Sequence, residues 1–434
     1  MDASRRSVLA ALSAGLGGCS AMFPRQASPP SDGDWPMQGA NPAGDYHQSD
    51  TDAPTEGVHE RWQRELQSLG GWYAEPVYYD GALYVLSDGI EVRDGTTGRR
   101  RRTVDIRLLG PPAVTTRTPY RNATLVGLTG TTSLTSPLLK PGGGSPLSVP
   151  TEGIIALNPT DGLGSDPRPR QRWRFPHSGG RFSVWSDDGQ IGAVPTGDRL
   201  VFGGSWHRSD GSDAGGLLAL DAATGKIAWA YRLSTDSNWT GSAGRPSVLD
   251  GVAYALSVSG TCHAVAVIDG NRRWQRDFDA ETYAARPLVA TPESVVTVVD
   301  DVVYGLDHAD GTTLWKRDFP GSYSDESEAL TAADGYVLVR RATEEQRLLL
   351  ALDTATGDTL WQVEDVTIRG QPVVADGTVF TMERDVLTAR ALTDGTIRWR
   401  FEPDTSPVDV APIVADGTVY LQTLGHLYAL EAPA

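Results

Sequence analysis

The side chains capable of reactive chemistry are few and scattered. Two cysteines, Cys19 and Cys262, and seven histidines, at positions 47, 59, 177, 207, 263, 308 and 426, are all that the chain offers for thiolate or imidazole chemistry. No His-x-x-His or His-Glu-x-x-His spacing occurs, so no single element would turn two imidazoles toward one metal ion. Ser209-Asp-Gly-Ser-Asp-Ala-Gly-Gly216 has the composition of a calcium loop but lacks the Asp-x-Asp-x-Asp-Gly order and a distant Glu. It reads as an exposed acidic hairpin loop. Cys262 lies in the strand-like run Gly260 to Val267 and reads as a small buried hydrophobe. With Cys19 committed elsewhere it has no thiol to pair with. No catalytic residue and no metal ligand is assigned.

Cys19 has a different context. Ser4-Arg5-Arg6-Ser7-Val8-Leu9 is followed by a small apolar run, Ala10 to Leu16, and then by Gly17-Gly18-Cys19. This order resembles a twin-arginine export signal, carried by Arg5 and Arg6 over residues 1–18, ending in a lipoprotein processing box whose thiol accepts the lipid. The apolar run is far short of the ~20 residues of a spanning helix. Lipidation at Cys19 would place the chain on the extracytoplasmic face of the cell membrane. Residues 19–57, rich in Pro, Ser, Asp and Gly, read as a flexible polar tether with too few apolar residues to pack.

The remainder is organised by repetition. Ala219-Leu-Asp-Ala-Ala-Thr-Gly-Lys-Ile-Ala-Trp229 returns as Ala351-Leu-Asp-Thr-Ala-Thr-Gly-Asp-Thr-Leu-Trp361. Looser copies end at Trp62, Trp173, Trp274, Trp315 and Trp399, and an eighth has Arg102 in place of the Trp. The marks are 38 to 71 residues apart, near the period of about 40–50 expected for propeller blades, with insertions at Thr129 to Thr151 and Ser205 to Gly216. Each unit reads as four short strands with an Asp-Gly turn, at residues 80, 250, 334, 376 and 416, after the innermost strand. A Trp recurring once per unit is core: burying 150–250 Å² of ring is worth a gross ~4–6 kcal/mol. The last unit has three strands and no closing Trp, whereas Glu60 to Leu66 is a Trp strand without a unit. Joining them closes an all-β, eight-bladed ring over residues 58–434 and removes its open edge.

The unit resembles the quinoprotein-type (PQQ-like) β-propeller repeat, written as a strand, Ala-Leu-Asp-x-x-Thr-Gly and x-x-x-Trp. Asp34-Trp-Pro-Met-Gln-Gly-Ala-Asn41 is similar to the family's usual leader. For its enzymes the resemblance implies pyrroloquinoline quinone over a vicinal Cys-Cys pair, calcium on Glu and Asn, and an Asp base. No two cysteines are adjacent here, and those ligand positions match no motif in the chain. No cofactor is therefore expected; quinone with calcium belongs only to the alternative, a quinoprotein-like dehydrogenase. The non-enzymatic branch, similar to outer-membrane-protein assembly lipoproteins, implies a lipid-anchored scaffold.

Charge narrows the partners. The formal charge is −17, with 38 basic residues of which only Lys140, Lys226 and Lys316 are lysine. No basic stretch is long enough to follow a phosphate backbone, which argues against nucleic acid. An acidic, lysine-poor exported chain fits a high-salt environment. Residues just before the inner strands, Glu75, Arg245, Glu328, Arg286 and Gln371, are expected to face the central funnel as a mixed-charge ring for a protein partner or ligand. Asn122 and Asn238 head glycan acceptor patterns. The reading is an exported, monomeric, membrane-anchored scaffold without catalysis, with the dehydrogenase and a small-ligand or sugar receptor as alternatives.

Overall fold

The computed structural model describes residues 27–66, 73–129 (except 88, 105, 107 and 109), 153–159, 171–176, 192–207, 213–233, 244–278 (except 258), 287–319 (except 301), 329–342 and 347–433. The signal, Cys19 and Asn238 lie outside them, as does nearly all of the first insertion. The second insertion is in part a lengthened hairpin, Arg199–His207 against Asp213–Asp221, so strand pairing reaches further into it than a loop would.

The described strands form eight antiparallel blades. Blade 1 comprises Val77–Tyr79, Ala82–Leu86, Ile90–Asp94 and Arg100–Val104, from the axis outward. Blade 7 comprises Ile368–Ala375, Thr378–Glu383, Val386–Ala391 and Ile397–Phe401. Their inner hairpins turn on Asp80-Gly81 and Asp376-Gly377, where both residues have positive φ (50° and 69°; 47° and 66°). Two successive positive-φ positions make the tight turn whose twist suits a hairpin. In blade 8 the strands Ile413–Ala415, Thr418–Thr423 and His426–Glu431 are completed on the outside by His59–Glu65, with Trp62 opposite Ala429. The N-terminal strand therefore closes the ring.

One joint repeats around it. The outermost strand of all eight blades bulges at the residue just before the Trp position, two residues opposing one. A bulge bends the strand and re-aims the side chain that follows. Each of these Trp residues except Trp399 is directed into the next blade, where its indole N–H donates to a carbonyl one or two residues past the end of the third strand. Trp229 reaches Val267 O at 2.7 Å, Trp315 reaches Thr354 O at 2.9 Å and Trp361 reaches Leu392 O at 2.7 Å. Over the ring lies the glycine of the next turn, for example Gly357 on Trp315 and Gly395 on Trp361. A Cβ built there would stand 2.3 and 2.8 Å from the ring, and the φ values are 69° and 72°. Glycine is required twice, for conformation and for contact. Cys262 is fully buried and free, as a core thiol.

The expected polar tether is corrected from residue 27 onward. Residues 33 to 54 are packed into the ring: Trp35 is fully buried, and Met37, Ala40, Tyr46 and Ala53 are buried with it. The apolar residues are few, but the segment is held mainly by backbone hydrogen bonds, which composition does not reveal. At the seam it also substitutes for a missing turn. Blade 8 ends without Asp-x-x-Thr-Gly, and Trp399 of blade 7 donates instead to Pro54 O at 2.8 Å.

Replacing Trp361 by Ala should cost about 3–5 kcal/mol in denaturant unfolding, and by Phe less, the Phe variant leaving Leu392 O without its donor. A cost for Trp361→Ala below about 1 kcal/mol would contradict the joint.

Candidate functional site

The innermost strand of every propeller blade has one free edge, which faces the axis. Unpaired N–H groups there are costly unless something meets them. The leader does so by crossing the axis from blade to blade. Trp35 and Tyr78 of blade 1 exchange N–H···O bonds of 2.9 Å in both directions. Val114 N of blade 2 donates to Pro36 O (2.7 Å), Val248 N of blade 4 to Pro42 O (2.9 Å), Ala332 N of blade 6 to Asp45 O (3.0 Å) and Val374 N of blade 7 to Tyr46 O (2.9 Å). By hairpin register these five ring amides are the same position in five blades. His47–Gln48 then adds to blade 7 as a short parallel strand. Asp416 N of blade 8 donates to Gly33 O at 3.0 Å.

Blade 3 departs from the pattern because Pro195 holds the donor position and has no N–H. Gln38 Oε1 instead accepts from Gly192 N at 3.2 Å. Beside this gap, between the leader and blades 2 and 3, lies a cavity of about 450 Å³ lined by Pro36, Met37, Val114, Thr115, Arg117 and Pro195, among others.

The residues expected to form the funnel ring are distributed as follows. Glu75 is buried, and its Oε1 accepts from Trp35 Nε1 at 2.6 Å and Gly39 N at 2.9 Å. Burial raises its carboxyl to about 7 in spite of these donors, of the Tyr46 hydroxyl and of the nearby Arg245. Arg245 is partly covered by the leader: Nη2 donates to Asn41 O at 2.8 Å, Nη1 to Pro246 O at 3.2 Å, and Gly44 lies against the guanidinium. Burial lowers its pKa, with Tyr46, Glu75 and Asp45 opposing. Glu75 and Arg245 thus hold the leader rather than face an open, solvated funnel. Gln371 is half-buried. Arg286 and Glu328 lie outside the described residues, and hairpin register puts Ala329, not Glu328, at the place that Gln371 holds in blade 7. Asn122 is half-buried in blade 2.

The leader partners Trp35, Gly39, Asn41 and Tyr46 are what reasoning from the ring residues missed. The leader motif was visible; its destination was not, because an irregular segment carries no periodicity.

This arrangement does not fit a quinone and calcium at the axis. The leader occupies the space, and the buried carboxylate there is spent on N–H donors that a cation would have to displace. Among the described residues no group of three His, Cys, Asp or Glu could hold a metal ion.

Comparison with known proteins agrees with the geometry. A family model described as outer membrane protein assembly factor BamB matches residues 152–304 and 299–433. The chain belongs to that family. It is 28% identical over 241 residues to outer membrane protein assembly factor BamB of Yersinia pestis, across 51% of this chain and 57% of that protein. The match thus spans little more than half the length of that relative. Among solved structures, BamB of Moraxella catarrhalis superposes with a TM-score of 0.59 at 15% identity, over 86% of this chain and 100% of that one. Quinohemoprotein alcohol dehydrogenase of Comamonas testosteroni superposes with a TM-score of 0.65 at 13% identity, over 93% and 81%. The PQQ-type propeller is thus shared by assembly factors and dehydrogenases, and the sequence match lies on the BamB side.

Ionising Glu75 in place is unfavourable, so its contribution is fully present below the ordinary pKa of 4.5 and is lost as pH rises through about 7. The shift corresponds to roughly 3 kcal/mol. Guanidinium unfolding at about pH 5 and about pH 8 should show that loss in the parent and little of it in Glu75→Gln. Identical pH slopes for the two would contradict the assignment.

Proposed function

We propose that this protein is an exported, lipid-anchored propeller scaffold that binds a protein partner without catalysis. The observation that carries the reading is the leader's occupation of the axis, with Glu75 and Arg245 spent on it, in a chain whose family model is that of an outer membrane assembly factor. A scaffold needs a rigid ring with loops and edges free, and does not need an open centre. Arg5, Arg6 and Cys19 supply export and anchor, putting the ring on the extracytoplasmic face. The acidic net charge suits a monomer, since like-charged copies repel one another.

A second reading, a small-ligand or sugar receptor, is favoured by one feature, the cavity beside Pro195 with Thr115 and Arg117 in its wall. It moves the ligand from the funnel ring to the gap that Pro195 leaves.

Cys19→Ser should move the protein from membrane to medium or leave it unprocessed; a variant that still fractionates with membranes like the parent would rule out the anchor. Purified protein given pyrroloquinoline quinone and calcium should show neither saturable binding nor alcohol-dependent dye reduction, while crosslinking in native membranes captures a defined protein partner. Quinone-dependent turnover would replace the scaffold reading with the dehydrogenase one.

A further inference from the structure

The described chain begins at a definite place on the ring. Ala27 N donates to Arg121 O, and Tyr79 Oη donates to Ser28 O at 2.7 Å, so the leader leaves the propeller between blades 1 and 2. It leaves on the side of the Asp-Gly hairpin turns. The eight peptide steps from Cys19 to Ala27 reach at most about 28 Å. A lipidated Cys19 would therefore bring this sector of the ring within reach of the bilayer.

The same sector carries a cationic cluster in a molecule of net charge −17. Arg99, Arg117 and Arg121 are exposed, and the side chains of Arg100 and Arg101 are each 46% exposed. Arg99, Arg100 and Arg101 stand where the outer strand of blade 1 begins, and Arg101 reaches across to the inner turn at Gly81 O (3.1 Å). Arg117 and Arg121 lie on the loop after the inner strand of blade 2, the loop from which the leader departs. Acidic residues are interspersed: Asp94 pairs with Arg101 at 2.7 Å, the buried Glu91 lies 3.6 Å from Arg100, whose side chain stays 46% exposed, and Asp32 and Asp80 are exposed nearby.

We infer that the blade 1–2 sector, with Arg99, Arg100, Arg117 and Arg121, is a docking surface for anionic lipid headgroups that orients the anchored propeller. This rests on the lipid-anchor reading. The tether brings this sector within reach of the headgroups, and the guanidinium groups match their charge. One lipid chain binds a membrane only marginally, and a cationic patch beside it is an established kind of second signal. Because the anchor already holds the patch near the surface, a weak contact is enough to set the orientation. Blades 4 to 6, across the ring, are left facing away from the membrane and open to a partner.

The test uses the lipidated full-length protein reconstituted in vesicles, with a fluorophore on Thr96→Cys or, separately, on Leu424→Cys. Thr96 is exposed on the turn just before Arg99, and Leu424 is 53% exposed on the opposite face of blade 8. Cys262 is buried and should not label. Headgroup-linked quenchers should quench Thr96→Cys strongly and Leu424→Cys weakly in phosphatidylglycerol-containing vesicles, and the difference should shrink in pure phosphatidylcholine or at high salt. Changing Arg99, Arg100, Arg117 and Arg121 to Gln should lower the oriented population, by about fivefold for each effective arginine. The matching Lys set should restore it, since headgroups respond to charge; this separates orientation from misfolding. Equal quenching at the two sites, or quenching at Thr96→Cys indifferent to anionic lipid or to the Gln set, would overturn the inference. Retention of the protein on vesicles in that case would leave the anchor intact, whereas failure to associate at all would remove the anchor and the orientation with it.

Discussion

Eight strands brought edge-first to one axis present more inward N–H groups than that axis can leave unpaired. The leader resolves this with its own carbonyl oxygens, meeting the same ring position at Tyr78, Val114, Val248, Ala332 and Val374. Much else follows from that pairing. The axis becomes a filled core around Trp35 and Tyr46; Glu75 is desolvated because the leader covers it; and a cavity opens where Pro195 denies the leader a donor. The first described residues, Ala27 and Ser28, are also fixed to one sector of the ring, from which the proposed anchor at Cys19 would orient it.

Around the perimeter, stability comes from nearest-neighbour joints, each an indole N–H bonded to the next blade under a glycine. Such arrays behave approximately as sums of unit and interface terms. The chain is not uniform, however. Arg102 takes the Trp position in blade 1, opposite Val92 as Trp361 is opposite Ala351, so the joint from blade 1 to blade 2 lacks its indole. At the seam the N-terminal region acts twice, once as the outer strand bearing Trp62 and once as Pro54, which accepts from Trp399. Strand and leader together fasten the ring where covalent continuity is absent.

The repeat made the fold legible because its marks report local physics. Asp-Gly specifies the hairpin, a recurrent Trp specifies the joint, and an unpaired Trp strand with an incomplete last unit specifies closure. The bulge before each Trp was not legible, since one extra residue in a strand leaves no pattern of its own. The leader was legible only as a motif. A segment with Pro30, Pro36, Pro42 and Pro54 and little apolar surface reads as a tether by composition, yet its carbonyls, which every sequence possesses, do the binding. The same limit applied to the site. Glu75 and Arg245 were expected to face a ligand or partner in the funnel; both are instead packed on the leader, whose path the sequence did not reveal.

Membership in the BamB family and a leader laid across the axis are what the proposed binding role rests on. That account stands on the leader being a permanent part of the native ring. Residue-resolved hydrogen exchange of the full-length protein tests it most directly. The amides of Tyr78, Val114, Val248, Ala332 and Val374 should be protected to the level of the surrounding ladders. Exchange of those five at rates typical of exposed loops, while the ladders within the blades stay protected, would show an unplugged axis and contradict the account.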